Sequence, residues 1–252
     1  MDTDSKTIGA VERSFDIVEV IQRRGPIGVS EVADVVSLPK STVYTHLNTL
    51  TSAGYLIKED GLYRLSCQYL QLGATVQYSI DLYRQGKEEV DELAAEVEER
   101  TNLVIEENGL GTCVYATNSS NSTQAYMNLG EQRPMHATAT GKAILAHLPV
   151  DRVDDIVERH GLEGFTEQTI TSRDGLEEEL AKIRDAGISF DNEESVDGLC
   201  CIATPVIVDD HPLGSISVSG PCSQFKRPDR RDELCEALRN AANVIQLDFM
   251  LT

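Results

Sequence analysis

The stretch LPKSTVYTHLNTLTSAGYL, from Leu38 to Leu56, predicts a helix with an unusual polar face. Val43, Leu47 and Leu50 recur at helical spacing and form the expected buried stripe. Pro39 suits the first turn of such a helix. The residues that point away from the stripe or flank it are small hydroxyls, an amide and a phenol, with no carboxylate. They are Ser41, Thr42, Tyr44, Thr45, Asn48, Thr49 and Ser52.

A carboxylate-free face is informative because the chain is strongly acidic. Its 252 residues carry a formal net charge of -20. Residues 1–80 contribute -2 of that charge and residues 81–252 contribute -18. Hydroxyl and amide groups hydrogen-bond base edges and phosphates in the major groove of DNA. We therefore interpret this face as a DNA-reading surface, with Lys40 and Arg64 contacting phosphates. A protein-interaction module is the alternative.

The neighbouring segments predict the rest of a DNA-binding domain. A short helix, Glu31–Val36, has Ser30 as a candidate N-cap. Alternating residues around Asp60 and Gly61 predict a β-hairpin. Three helices followed by a hairpin form a winged helix-turn-helix, which we expect over residues 1–65. The first helix is predicted from an apolar stripe formed by Val11, Phe15, Ile17, Val18 and Ile21.

The remaining chain predicts a linker helix over residues 66–82 and a second domain over residues 83–252. An amphipathic helix is expected from Gly86. Strands and helices then follow in mixed order, which is typical of an α+β fold with a largely antiparallel sheet. Strands are predicted at Leu103–Glu107, Thr112–Ala116, Gln124–Leu129, Ile188–Asp191, Cys201–Val208 and Ser215–Ser219. Helices are predicted at Ala139–Leu148, Val150–His160, Asp174–Ala186 and Asp229–Phe249.

Composition narrows the cellular setting. The chain has no run of 18 apolar residues and no signal-peptide pattern, so we expect a cytoplasmic protein with no membrane partner. Six cysteines without a CxxC pair predict reduced, mostly buried thiols, and we expect neither a metal site nor a cofactor. Seven lysines against fifteen arginines and 42 acids suggest a halophile that accumulates salt in its cytosol.

The stretch MHATATGKAIL, Met135–Leu145, contains a Gly-Lys pair but does not match a phosphate-binding loop. His136 occupies the position of the first glycine, and Ala143 replaces the Ser or Thr that binds Mg²⁺. A helix start rich in Ala and Thr fits a small-ligand site. Plain capping by Thr138 or Thr140 is the alternative.

Four stretches, taken together, resemble IclR-type transcriptional regulators over nearly all of residues 8–250. A pattern in the second domain, G-x3-D-x2-E-x6-C-[IV]-A, is met from Gly187 to Ala203; Ile207 and Val208 depart from its usual ending. The stretches are LPKSTVYTHLNTLTSAGYL, GLYRLSCQYLQLG, MHATATGKAILAHLP, and GISFDNEESVDGLCCIATPV with SISVSG.

The resemblance implies a winged helix-turn-helix, a linker helix and a GAF-like effector-binding domain. It also implies dimers or tetramers that bind an operator and regulate genes for carbon sources. From the residues themselves, Ser217 and Ser219 alternate onto one strand face, so both hydroxyls can meet one ligand. The effector positions implied are Ala139, Thr140, Asp191, Cys201, Ser217 and Ser219, with Met127 and Leu129 as candidate walls.

For Cys201 the alternative is a buried small hydrophobe, and for Asp191 a local cap. These candidates include one acid and no base, although Arg133 is near in sequence. A sugar, polyol, sugar acid or short organic acid is therefore expected as effector.

Two other functions compete with an effector-controlled regulator. The first is a thiol- or metal-responsive regulator that uses Cys200, Cys201 and Cys222, although adjacent cysteines in a strand face opposite ways. The second is an enzyme with Asp191 as acid and Cys201 as nucleophile, for which no neighbouring base is evident. We expect no enzymatic activity. In a salt-rich cytosol, DNA binding is expected to depend weakly on salt.

Overall fold

The computed structural model describes residues 7–117 and 127–251. The chain divides into two compact units, with the boundary between Gln77 and Tyr78. In the part of the chain that is described, no helix is long and apolar enough to cross a membrane.

In its described residues, the first unit contains three helices, a small antiparallel sheet of order β1-β3-β2 and most of a fourth helix. Asp60 and Gly61 have φ values of 51° and 81°, which the tight turn of the predicted hairpin requires. The winged helix-turn-helix prediction is confirmed. The elements are α1 (Gly9–Arg24), β1 (Ile27–Gly28), α2 (Val29–Val36), α3 (Lys40–Ser52), β2 (Leu56–Glu59) and β3 (Leu62–Leu65), followed by α4 (Gln68–Ser79).

Two details of the first unit differ from the sequence prediction. In α1 the buried residues are Ile17, Val20 and Ile21, whereas Val11 and Phe15 are 50% and 64% exposed. The apolar core of the first unit reaches only the second half of α1, so Val11 and Phe15 do not pack into it. Ser30 lies inside α2. The cap is Gly28, whose amide donates to Glu31 Oε2 at 3.3 Å, because β1 runs directly into the helix.

The second unit begins with α5 (Asp81–Val97), five residues before the predicted start at Gly86. Ile80 precedes it with an extended backbone, which separates α5 from α4. Leu82 and Tyr83 are buried, so apolar packing adds the extra turn. Helix α4, in contrast, has no buried residue.

A six-stranded sheet, antiparallel throughout, forms the centre of the second unit, with strand order β6-β5-β4-β9-β8-β7. The α+β prediction is confirmed. The strands are β4 (Arg100–Glu107), β5 (Leu110–Ala116), β6 (Gln132–Pro134), β7 (Ser189–Asn192), β8 (Leu199–Val208) and β9 (His211–Pro221). The helices are α6 (Ala139–Leu145), α7 (Val150–His160), α8 (Arg173–Ala186), α9 (Cys222–Phe225) and α10 (Pro228–Leu251).

The two faces of this sheet pack against different helices. Leu103, Ile202 and Val218 join α5 and α10 in one apolar core. Cys201 and Ala203 belong to a second core, on the opposite face, with α6, α7 and α8. Successive residues of a strand point to opposite faces, so adjacent positions serve different cores.

One predicted strand does not appear where expected. Residues 124–126 of the predicted Gln124–Leu129 strand lie outside the described residues. Met127–Leu129 form a bend and the start of a turn. The strand of this region is β6, which pairs with β5 through Leu110 and Pro134. The turn around Gly130, at φ 76°, precedes β6, which begins three residues after the end of the predicted strand.

The prediction of reduced thiols is wrong for Cys200 and Cys222. These two residues form a disulfide with Cα atoms 4.8 Å apart. Pairing of β8 with β9 places Gly220 opposite Cys200, and α9 begins two residues later. Residues separated by 22 positions therefore meet within disulfide range. The free cysteines in the described segments are Cys67, Cys113, Cys201 and Cys235.

Candidate functional site

The polar face of α3 is open to solvent within the first unit. Val43 and Leu47 are fully buried, while Ser41, Tyr44 and Thr45 are exposed. Thr42 and Asn48 are half-buried. The helix therefore presents the predicted residues outward.

Hydroxyl groups on this face are partly engaged by the helix itself. Thr45 Oγ1 donates to the Ser41 carbonyl at 3.0 Å, and Thr49 Oγ1 donates to the Thr45 carbonyl at 2.9 Å. Each threonine has thereby used its only hydroxyl proton. Its oxygen retains lone pairs, so the side chain can still accept a hydrogen bond from a base or a water.

The cations near α3 differ in how they are held. Lys40 is exposed at the helix start. Arg64 forms a two-point contact with Glu59, at 3.2 and 2.8 Å, and this guanidinium lowers the pKa of Glu59. Sequence reasoning missed Lys58, whose ammonium lies 5.7 Å from the ring centre of Tyr44 and 5.2 Å from that of Tyr63. The alternation of residues that predicted the hairpin also placed Lys58 on its first strand, so this cation could have been predicted beside Arg64.

Gly141 and Lys142 have structural roles rather than a phosphate-binding one. Thr138 caps α6 by accepting from the Gly141 amide at 3.0 Å. A Cβ on Gly141 would lie 2.3 Å from the Met135 carbonyl oxygen, so only glycine fits this approach. Lys142 is fully buried, with its ammonium 2.6 Å from each Glu194 oxygen.

Glu194 and Asp191 shape the loop that leads into β8. Burial raises the pKa of Glu194, and the adjacent Lys142 ammonium opposes that rise. Asp191 accepts from the Glu194 amide at 2.7 Å and from the Ser195 hydroxyl at 2.5 Å. Asp191 therefore caps this loop, and it also lies on the sheet face described next, so its predicted role toward an effector stays a prediction.

Four strands place a set of polar side chains on the face of the sheet that packs against α6. The register aligns Arg100, Ser219, Cys201 and Asp191 in one row, and Asn102, Ser217, Ala203 and Ser189 in the next. We call the polar members of these rows, with Cys201, the polar sheet face: Arg100, Asn102, Ser189, Asp191, Cys201, Ser217 and Ser219. All seven are buried.

The other predicted effector residues lie around this face, with one exception. Ala139 and Thr140 are buried at the start of α6, and Ser215 Oγ donates to the Thr140 carbonyl at 3.2 Å. Met127 is buried, and its carbonyl accepts from Arg100 at 2.7 Å. Leu129 is 60% exposed in a turn and does not join the buried set.

Sequence reasoning missed Arg100 and Asn102. The predicted strand began at Leu103, so these positions were not placed on a sheet face. Arg133, which the sequence suggested as a nearby cation, lies on β6 and forms an ion pair with Glu131, the residue before that strand. Alternation extended three residues toward the N-terminus would have put Arg100 and Asn102 on one face.

Burial disfavours the thiolate form of the free cysteines Cys201 and Cys113. Burial raises the pKa of Cys201 far above its usual range, and the Asp191 charge adds to this effect. Burial also raises the pKa of Cys113, to about 11. Within residues 7–117 and 127–251, no group of three His, Cys, Asp or Glu residues is arranged to hold a metal ion.

Family models match both units. The model described as "Bacterial transcriptional regulator IclR C-terminal" matches residues 74–247. The model described as "IclR helix-turn-helix domain" matches residues 10–60.

Individual proteins match over almost the whole chain. A probable HTH-type transcriptional regulator ArcR from Halobacterium salinarum is 28% identical, with 97% of this chain and 95% of that protein covered. The HTH-type transcriptional regulator KdgR of Escherichia coli is 31% identical, with 97% and 94% covered. The crystal structure of an IclR homologue from Microbacterium hydrocarbonoxydans, complexed with 4-hydroxybenzoate, has a TM-score of 0.83 at 20% identity and covers 96% and 100% of the two chains.

Proposed function

The chain belongs to the IclR family of transcriptional regulators, and on that premise we propose that α3 reads an operator while the polar sheet face binds a small effector. The family consists of DNA-binding regulators rather than enzymes. One observation carries the assignment of α3: an exposed helical face without a carboxylate in a chain of net charge -20. Such a face can approach a polyanion without repulsion.

The proposed DNA contacts divide by chemistry. Ser41, Tyr44 and Asn48 can donate to or accept from base edges, and Thr45 can accept from the amino group of adenine or cytosine. Lys40, Lys58 and Arg64 contact phosphates, and Arg64 exchanges the Glu59 carboxylate for a phosphate oxygen. The complete proposed set is Lys40, Ser41, Thr42, Tyr44, Thr45, Asn48, Lys58 and Arg64.

The proposed effector site lies in a GAF-like domain between α6 and the polar sheet face. Its hydroxyls and amide suit a sugar, polyol, sugar acid or short organic acid, so regulation of carbon-source catabolism is the proposed role. A family homologue crystallised with 4-hydroxybenzoate supports a small-molecule effector. The proposed site residues are Met127, Ala139, Thr140, Asp191, Cys201, Ser217 and Ser219, in addition to Arg100 and Asn102.

We further propose a homodimer, and a tetramer built from it is the larger alternative. Leu70, Val76 and Tyr78 of α4 are at least 60% exposed, as are Ile8 and Phe15 at the start of the chain. A second copy that covers these apolar surfaces would remove them from water. Effector binding would then change the spacing of the two α3 helices and so the fit to the operator. The acidic composition supports a cytoplasmic site of action in a halophile.

The experiment selects an operator from random duplexes with the full-length protein and measures affinity by fluorescence anisotropy in high-salt buffer. Asn48→Asp places a carboxylate on the α3 face and is expected to weaken operator binding at least about tenfold. Asn240→Asp, at an exposed position of α10, makes the same change in the second unit and is the matched control. Equal affinity of the two variants, or of operator and scrambled duplex, would contradict the proposal.

The Cys200–Cys222 disulfide supports a second candidate, a regulator that responds to thiol oxidation. Reduction of this bond would free β8 from α9 on the opposite face of the sheet, next in sequence to Cys201 of the polar sheet face. If so, operator affinity of the wild type changes on reduction with dithiothreitol, and Cys222→Ser abolishes that response. Identical affinity under both conditions removes the candidate. A metal-responsive version lacks support because Cys201 points to the opposite face from Cys200.

A further inference from the structure

Arg100 is a buried cation without a counter-ion in the described part of the chain. The residue is 7% exposed, and its one hydrogen bond to a described residue goes to the Met127 carbonyl. No carboxylate among the described residues lies within salt-bridge distance of it. Burial of an unpaired charge is costly, and proteins normally neutralise such a group.

Lys142, the other buried cation described in this unit, is neutralised by carboxylates. Lys142 is fully buried, contacts both oxygens of Glu194, and has Glu179 at 3.7 Å. The carboxylate in the same sheet row as Arg100 is Asp191, which lies three strands away, about 14 Å. Asp191 is also occupied by the Glu194 amide and the Ser195 hydroxyl. Neither acid neutralises Arg100.

Two residues near Arg100, Asn102 and Ser217, also have incomplete hydrogen bonds among the described residues. Arg100 Nε and Asn102 Oδ1 are buried and have no partner among the residues that the structure describes. Ser217 lies directly opposite Asn102 in the sheet. Its hydroxyl is also buried, and its one described contact is a weak hydrogen bond with the Cys201 thiol. Asn102 and Ser217 are about 5 Å apart across the strands, and Arg100 is two residues from Asn102.

These groups together specify a ligand. A water molecule can satisfy the Asn102 amide and the Ser217 hydroxyl, but it carries no charge to neutralise Arg100. An anionic oxygen next to a hydroxyl group satisfies all three, because the guanidinium binds a carboxylate, the Asn102 oxygen accepts a hydroxyl proton and the Ser217 hydroxyl donates to an oxygen of the ligand. We propose that Arg100 and Asn102 select an effector that is a hydroxylated carboxylic acid over the corresponding neutral polyol. This inference rests on the proposed effector function of the polar sheet face.

Matched probes test this preference with the full-length protein. Isothermal titration calorimetry in high-salt buffer compares four acids with the alcohols that have the same carbon chain. The pairs are glycolate with ethylene glycol, lactate with propane-1,2-diol, glycerate with glycerol, and gluconate with glucitol. At least one acid is expected to bind about tenfold or more tightly than its alcohol, since the charged contact is missing in the alcohol.

Two variants identify the residue responsible. Arg100→Met removes the charge and is expected to abolish the preference for the acid. Arg133→Met removes a guanidinium that is already paired with Glu131 and is expected to retain it. Without ligand, Arg100→Met is expected to melt at or above the wild-type temperature, because an uncompensated buried charge has been removed. If Arg100→Met does not fold, Arg100→Lys replaces it and is expected to weaken acid binding by losing the two-point contact.

Several outcomes would overturn the inference: no acid in the panel binds, each alcohol matches its acid, or Arg100→Met retains the preference. Failure of the proposed function is a separate result. If a neutral polyol binds and alters operator affinity, the regulator assignment stands and the acid preference is wrong. If an acid binds through Arg100 but the protein binds no operator, the preference stands and the regulator assignment is wrong.

Discussion

The exposed face of α3 and the polar sheet face use the same kinds of side chain but satisfy them differently. On α3, Thr45 and Thr49 bond to their own helix, and water reaches what remains. On the polar sheet face, Asn102 and Ser217 are buried without full partners among the residues that the structure describes. An exposed polar surface is stable without a ligand, so its composition alone suggests DNA. A buried one with incomplete bonds is costly, and the effector that we propose there would complete them.

The largest expected effect on the buried side of this comparison comes from Lys142→Met. Removal of the ammonium leaves Glu194 buried and uncompensated, which typically costs about 3–5 kcal/mol. Urea unfolding of the second unit measures this loss. Lys182→Met is the matched control, because Lys182 is 72% exposed and its contact with Glu179 is 3.6 Å. If Lys142→Met lowers the unfolding free energy by less than about 1 kcal/mol, which is typical of an exposed pair, then the Lys142–Glu194 pair is not buried as described.

Gly141→Ala is expected to destabilise the same unit by about 1–3 kcal/mol, since the added methyl group meets the Met135 backbone. Thermal unfolding followed by circular dichroism measures the change. Gly73→Ala is the control: its methyl group meets nothing within 4 Å in α4, so it should leave stability unchanged or slightly increase it. Equal effects of the two substitutions would refute the close approach of α6 to Met135.

Asn48→Ala tests whether the exposed face of α3 contributes to DNA binding rather than to stability. The unfolding free energy of the first unit is expected to change by less than about 0.5 kcal/mol, since Asn48 lies outside the core. Operator affinity, measured by anisotropy, is expected to fall because a base contact is lost. Leu47→Ala, in the core of the same helix, gives the opposite pattern of a large stability loss. Unfolding of Asn48→Ala as severe as that of Leu47→Ala would show that the face is structural.

The smallest expected effect concerns salt. Near 1 M the Debye length is about 3 Å, so attraction between α3 and distant phosphates is screened. Operator affinity measured between low and molar KCl is expected to fall with a slope well below that of proteins with about 6–10 phosphate contacts. Lys40, Lys58 and Arg64 are the cations proposed to contact phosphate. A slope as steep as for many contacts would contradict readout by hydrogen bonds and shape.

Much of the fold was predictable because local spacing determines it. The stripe of Val43 and Leu47, the Asp60-Gly61 turn and the helix at Val150–His160 all appear in the structure. The misplaced elements depend on distant packing. The true stripe of α1 follows from the position of the core, and the start of α5 at Asp81 follows from burial of Leu82 and Tyr83. Neither can be read from periodicity within one segment.

By itself, the sequence determined the order of helices and strands, the carboxylate-free face of α3 and the rejection of Gly141-Lys142 as a phosphate loop. These features depend on spacing along the chain and on composition. Only the tertiary structure decided that Lys142 is paired with Glu194, that Arg100 has no carboxylate partner within residues 7–117 and 127–251, and that Cys200 meets Cys222. The physical reason is that a sheet register aligns residues more than a hundred positions apart, and burial then fixes which polar groups remain unsatisfied.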